Sequence, residues 1–173
     1  MIARWRPVHL GHAAVLEALL DRADHLIIGI GSANRVDLRN PWSAAEVEQM
    51  LRRVVGDRAE IVPVDDLGDG PRWAEMVVGM FAPLDLFVTA NPWVWSLLQD
   101  TWTLCHPVHL VPVARRLPLD GTAVRREMAR GGDWARLVPP AVADWLEASG
   151  SVARFRRQYG LQTLALDAPP VDQ

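Results

Sequence analysis

Apolar and polar positions along this 173-residue chain follow two rhythms, and the chain switches between them several times. After His12, Val15, Leu16, Leu19 and Leu20 fall at helical spacing while Glu17, Asp21 and Arg22 take the other side, which predicts a helix over 11–23. Leu26 to Ile30 is a short unbroken apolar run ending in Gly31-Ser32, the pattern of a parallel strand covered on both faces. Ser43 with Glu46 three residues on forms a capping box that opens a helix through Val55. Glu60 to Val64 reads as a strand, and its Pro63 places it at a sheet edge. A loop over 65–71 leads into a helix carrying Trp73, Met76, Val77 and Met80. Asp85 to Thr89 reads as another buried strand, Asn91-Pro92 starts a helix through Leu98, and His109 to Val113 reads as a last strand. Helices over 122–129 and 140–148 follow. Arg154, Arg156 and Arg157 read as a solvated helix face or a subunit contact, and 164–173 reads as a loose tail.

Strands that alternate with helices in this way predict the α/β class. The expected architecture is a single Rossmann-like domain over 1–163, a central parallel sheet with helices on both faces, followed by the tail at 164–173. Ligands of such sheets bind beyond the carboxyl ends of the strands. The first loop, Gly31-Ser32, Thr89-Ala90-Asn91 and the turn before Thr122 should therefore converge.

Composition narrows the chemistry. Net charge is −3, which does not fit a general nucleic-acid or membrane-surface binder. All 18 basic residues are arginine, so a Schiff-base lysine and a lysine-type P-loop are excluded and arginine must handle any phosphate. Cys105 has no second cysteine to pair with in this sequence, and the apolar runs are too short to span a bilayer. A cytoplasmic protein is expected.

Two stretches carry chemistry. In Arg6-Pro7-Val8-His9-Leu10-Gly11-His12, two imidazoles stand directly before a helix. They are open to packing, to a metal, or to donation toward an anion at the helix N-terminus. In Asp120-Gly121-Thr122-Ala123-Val124-Arg125, a glycine turn enters a helix that offers backbone N–H groups, a hydroxyl and a guanidinium, again suited to phosphate. Gly29-Ile30-Gly31-Ser32-Ala33-Asn34 imitates a dinucleotide fingerprint but lacks its third glycine.

Taken together, H-x-G-H near the start and T-x-x-R near the end resemble the nucleotidylyltransferase superfamily. Arg4-Trp5-Arg6-Pro7-Val8-His9-Leu10-Gly11-His12 is similar to the opening of the archaeal-type nicotinamide mononucleotide adenylyltransferases. "LIIGIGSAN", "RNPWSAAE", "TANP", "DGTAVRREM" and "LVPPAV" follow in the family's order, from about Ala3 to Gly160. The resemblance implies transfer of AMP from ATP to nicotinamide mononucleotide (NMN), giving NAD and pyrophosphate, with Mg2+ held through the nucleotide phosphates and no separate protein metal site. It implies catalytic roles for His9, His12 and Arg125, and nucleotide contacts from Arg4, Trp5, Gly11, Arg39, Gly121 and Thr122. Acceptor contacts would come from Ser32, Trp73, Asn91, Pro92 and Trp93, and the assembly would be a homo-oligomer. The family usually has asparagine where this chain has Gly70, a leucine at Trp93, and a serine at Asp120. These departures leave room for the same transfer, from ATP or CTP, onto another phosphate or phosphonate acceptor, or for a catalytically silent nucleotide-binding module.

Overall fold

A computed structural model describes residues 1–81 and 83–166. In chain order its elements are β1 (Ile2–Ala3), α1 (Leu10–Leu20), β2 (Ile27–Gly31), α2 (Ala44–Val55), β3 (Glu60–Val64), α3 (Gly70–Met80), β4 (Phe87–Val88), α4 (Pro92–Leu98), β5 (Leu104–Cys105), α5 (Gly121–Arg130), α6 (Pro140–Ala148) and α7 (Ser151–Ala165). The strands pair in parallel as β1-β2-β3 and β4-β5, with Ile2 opposite Gly29 and Ile28 opposite Ile61. β3 lies at the edge, where the missing N–H of Pro63 costs no ladder bond.

Period-two alternation gives both sheets the same two faces. Ala3, Ile28, Ile30, Ile61 and Val88 pack into a large core with α1, α2, α5, α6 and α7. Ile2, Ile27, Val62, Val64, Phe87 and Leu104 pack into a second core with α3 and α4. Strand residues are therefore covered from two sides, which accounts for the unbroken apolar run at 26–30. Gly29 is required by this packing, because a Cβ there would lie 2.6 Å from Ile2 Cγ1.

The helix starts follow from their capping residues. Ser43 and Glu46 form the expected box at α2, and Glu46 is also hydrogen-bonded by Arg154 of α7. Burial alone would raise the Glu46 carboxyl, but the Ser43 amide and the Arg154 guanidinium outweigh it and hold the group below its usual value. Asp69, Asn91 and Asp120 each accept a backbone N–H at the starts of α3, α4 and α5.

Two expectations are corrected. The last strand is β5 at 104–105 rather than His109 to Val113, which instead belongs to 3₁₀ turns at Pro107–His109 and Val113–Arg115. Pro107 and Pro112 remove ladder donors, and His106 Nδ1 accepts the Val108 N–H at 3.1 Å, which closes a turn. The tail expected from Leu164 begins later, since α7 continues to Ala165; the rest of that segment, 167–173, lies outside the described residues.

Candidate active site

His9 is the N-cap of α1 and His12 is its third residue. Each ring nitrogen Nδ1 accepts the other's backbone N–H, at 3.3 and 3.4 Å, so the pair forms a reciprocal capping box built from imidazoles. The rings stack with centroids 3.6 Å apart. Because both Nδ1 atoms accept, each neutral ring carries its proton on Nε2, leaving one N–H donor per ring. Gly11 makes this possible: a Cβ would press on His9 Nδ1 at 3.1 Å. Burial lowers the His9 pKa from 6.5 to about 4, with Asp120 opposing. Burial and then repulsion from His9 take His12 well below its usual value, with the Pro7 carbonyl opposing. The two rings are neutral donors at pH 7.

Trp5 is 1% exposed. Its Nε1 donates to the Gly29 carbonyl at 2.8 Å and its ring lies against His12, so it supports the histidine from behind.

The start of α5 contributes the opposing group. Arg125 Nη1 donates to the Arg6 carbonyl at 2.7 Å, and Nη2 to Thr122 Oγ1 at 3.2 Å. Its pKa is lowered by burial first and by Arg4, with Asp120 opposing. Asp120, one of the three departures from the family pattern, accepts the Ala123 N–H at 2.8 Å and so serves as a helix cap. Gly121 permits close approach, since a Cβ there would stand 2.8 Å from the Arg6 carbonyl oxygen.

A cavity of about 1020 Å³ joins these parts. Its lining includes His9, Gly11, His12, Arg4, Trp5, Arg39, Gly121, Thr122 and Arg125, together with Ser32, Trp73, Asn91 and Trp93. Pro92 is not among the lining residues; it occupies the first position of α4 and sets the course of that helix. At the far end Trp73 and Trp93 have ring centroids 6.0 Å apart. Trp93 is half-exposed and lies over Gly70, where a Cβ would be 2.8 Å from Trp93 Cζ2. The Asn91 side chain accepts the Trp93 N–H at 3.0 Å, so its oxygen is committed to the cap.

Sequence reasoning missed Arg6. It is buried, lines the cavity wall and donates to Gly31, Ser32, Asn40 and Trp42. Its place inside the histidine motif was the available signal, but an isolated arginine in sequence reads as solvated.

Among the described residues no three His, Cys, Asp or Glu groups come together as a metal cage, and no helix is long and apolar enough to cross a membrane. Two helix starts with neutral imidazole donors on one and a guanidinium on the other suit a polyanion that brings its own counter-ions.

A cytidylyltransferase-like family model matches residues 4–127. A nicotinamide-nucleotide adenylyltransferase of Methanolobus tindarius is 33% identical over 159 residues, covering 90% of each chain. One from Methanocorpusculum labreanum is 36% identical over 160 residues, covering 90% of this chain and 94% of its own. Among solved structures, a bifunctional NMN adenylyltransferase/ADP ribose pyrophosphatase from Francisella tularensis, complexed with AMP and an Mn ion, shares the fold. Its TM-score is 0.71 at 17% identity over 98% of this chain, which spans 55% of that longer one.

Proposed function

The chain belongs to the cytidylyltransferase-like family and, within it, to the nicotinamide-nucleotide adenylyltransferases, and from that premise we propose how its site works. The reaction is transfer of AMP from ATP to NMN. A phosphate oxygen of NMN attacks the α-phosphorus of ATP, the bond from that phosphorus to the bridging oxygen breaks, and pyrophosphate leaves with the electron pair. NAD is the product. The attacking phosphate is already ionised, so no general base is required, and catalysis rests on positioning and charge stabilisation.

The observation that carries the assignment of roles is the histidine capping box. Its two Nε2 donors share a cavity with Arg125, so His9, His12 and Arg125 are the groups we assign to the phosphates in the transition state. Arg4, Arg39 and Thr122 contact the nucleotide from the exposed rim, Gly11 and Gly121 admit close backbone approach, and Trp5 orients His12. Ser32, Trp73, Asn91 and Trp93 form the acceptor end. Mg2+ would be held through the nucleotide phosphates and would supply neutralisation of part of the triphosphate charge.

The test is NAD formation by the purified protein with Mg2+, comparing ATP with CTP and NMN with no acceptor. Turnover that requires both ATP and NMN is expected. Pyrophosphate release without NAD would refute the acceptor.

A further inference from the structure

Arg6 is an arginine side chain 2% exposed, and each bond it makes ends on a neutral oxygen. Nε donates to the Trp42 carbonyl at 2.9 Å. Nη1 donates to the Gly31 carbonyl at 2.8 Å and to Asn40 Oδ1 at 3.0 Å, and Nη2 donates to the Ser32 carbonyl at 3.1 Å. The nearest carboxylate in this network, Asp37, is reached only through Asn40, whose Nδ2 donates to it at 2.9 Å. Burial and the neighbouring Arg4 lower the Arg6 pKa to about 10, against the attraction of Asp37, so the group is a cation at neutral pH.

Burying a cation without a contacting carboxylate carries a desolvation cost that hydrogen bonds to neutral oxygens offset only in part. Here it holds two residues that line the cavity, Arg39 at the nucleotide end and Ser32 at the acceptor end. The same Asp37 oxygen that holds Asn40 accepts the Arg39 N–H at 2.8 Å, so the chain of bonds from Arg6 ends at an arginine on the rim of the cavity. Ser32, held by Arg6 through its carbonyl, has a left-handed φ of 53° that a non-glycine residue adopts only under constraint. The Arg6 carbonyl, meanwhile, anchors Arg125.

We propose that Arg6 is a positioning residue for the polyphosphate: its fork holds the segment 31–42 in register with the histidine pair, and its buried charge is answered by the bound anion. The proposal rests on the adenylyltransferase reading of the site. It predicts a split between charge and fork. Lysine keeps the charge and loses the fork; glutamine keeps part of the bonding and loses the charge.

The experiment titrates inorganic tripolyphosphate with Mg2+ into the full chain by calorimetry, with ATP and NMN kinetics in parallel, for wild type, Arg6→Lys and Arg6→Gln. Arg6→Gln should bind tripolyphosphate roughly tenfold more weakly, the scale of one charge-assisted interaction. Arg6→Lys should bind within about threefold of wild type yet turn over roughly tenfold more slowly, because charge attracts the anion while the fork sets its geometry. In both variants the KM for NMN should move less than the KM for ATP. Folded Arg6→Gln that binds tripolyphosphate as wild type does overturns the proposal. If Arg6→Gln does not fold, Arg6→Lys decides alone: weak binding refutes the role of the charge, and wild-type turnover refutes the role of the fork. Failure of the wild-type protein to bind tripolyphosphate would instead refute the phosphate-site reading beneath it.

Discussion

Lowering the pH should destabilise the unliganded protein well before its carboxylates titrate, and the histidine capping box sets the size of the effect. In the unfolded chain both imidazoles take up protons near pH 6.5. In the folded chain His9 resists until about pH 4, and His12 is displaced in the same direction. Between those limits the unfolded state binds more protons, so stability is complete above pH 6.5 and falls as the pH drops toward 4. The His9 displacement alone corresponds to about 3 kcal/mol, at about 1.4 kcal/mol per pH unit. Glu46, held below 4.5, begins to lose its contribution only as the pH falls below about 4.5, so the steps above that value report the histidines. The assay is urea unfolding at half-unit steps from pH 7.5 to 4.5, comparing wild type with His9→Gln. The wild-type slope should exceed the variant's by up to one proton across the window. A bound triphosphate should reverse the preference, since an anion favours imidazolium, and calorimetry in buffers of differing ionisation enthalpy would show proton uptake on binding. Equal slopes in wild type and variant would refute the neutral, mutually capped pair.

Three further outcomes follow from the geometry. His12→Ala should lower kcat by roughly 10²–10³-fold, as for loss of one preorganised donor, with the fold intact by circular dichroism. Gly70→Ala places a Cβ 2.8 Å from the Trp93 ring, and since Trp93 is half-exposed it can yield. The KM for NMN should therefore rise roughly three- to tenfold while the KM for ATP holds, a misplacement effect at one end of the site. Glu46→Gln weakens both the α2 cap and the bond from Arg154, and denaturant unfolding should register a loss of about 1–2 kcal/mol without a change in KM for either substrate.

Elements with strong local chemistry were legible from the sequence. The box at Ser43 and Glu46, the Asn91-Pro92 start and the apolar run at 26–30 each state their structure within a few residues. β4 and β5 are two residues each, too short for a periodic pattern, and so the final strand was expected five residues too late. At the site, the histidines and the Thr122 to Arg125 turn were visible because their meaning lies in spacing. Arg6 was not, because its role depends on carbonyls 25 to 36 positions away that only the fold brings to it. The partnership of Gly70 with Trp93 was hidden for the same reason, although each stood out alone as a departure from the family pattern.

The division of the interior into two cores gives the two ends of the cavity separate landlords. The histidines and Arg125 ride on α1 and α5, which pack on one side of the sheet, while Trp73 and Trp93 ride on α3 and α4, which pack on the other. Mutations that reshape the wall bearing Trp73 and Trp93 disturb packing that the wall bearing the histidines and Arg125 does not share. Substitutions in the layer beneath α3 and α4 can therefore reshape one end of the cavity while the packing beneath the other end stays in place.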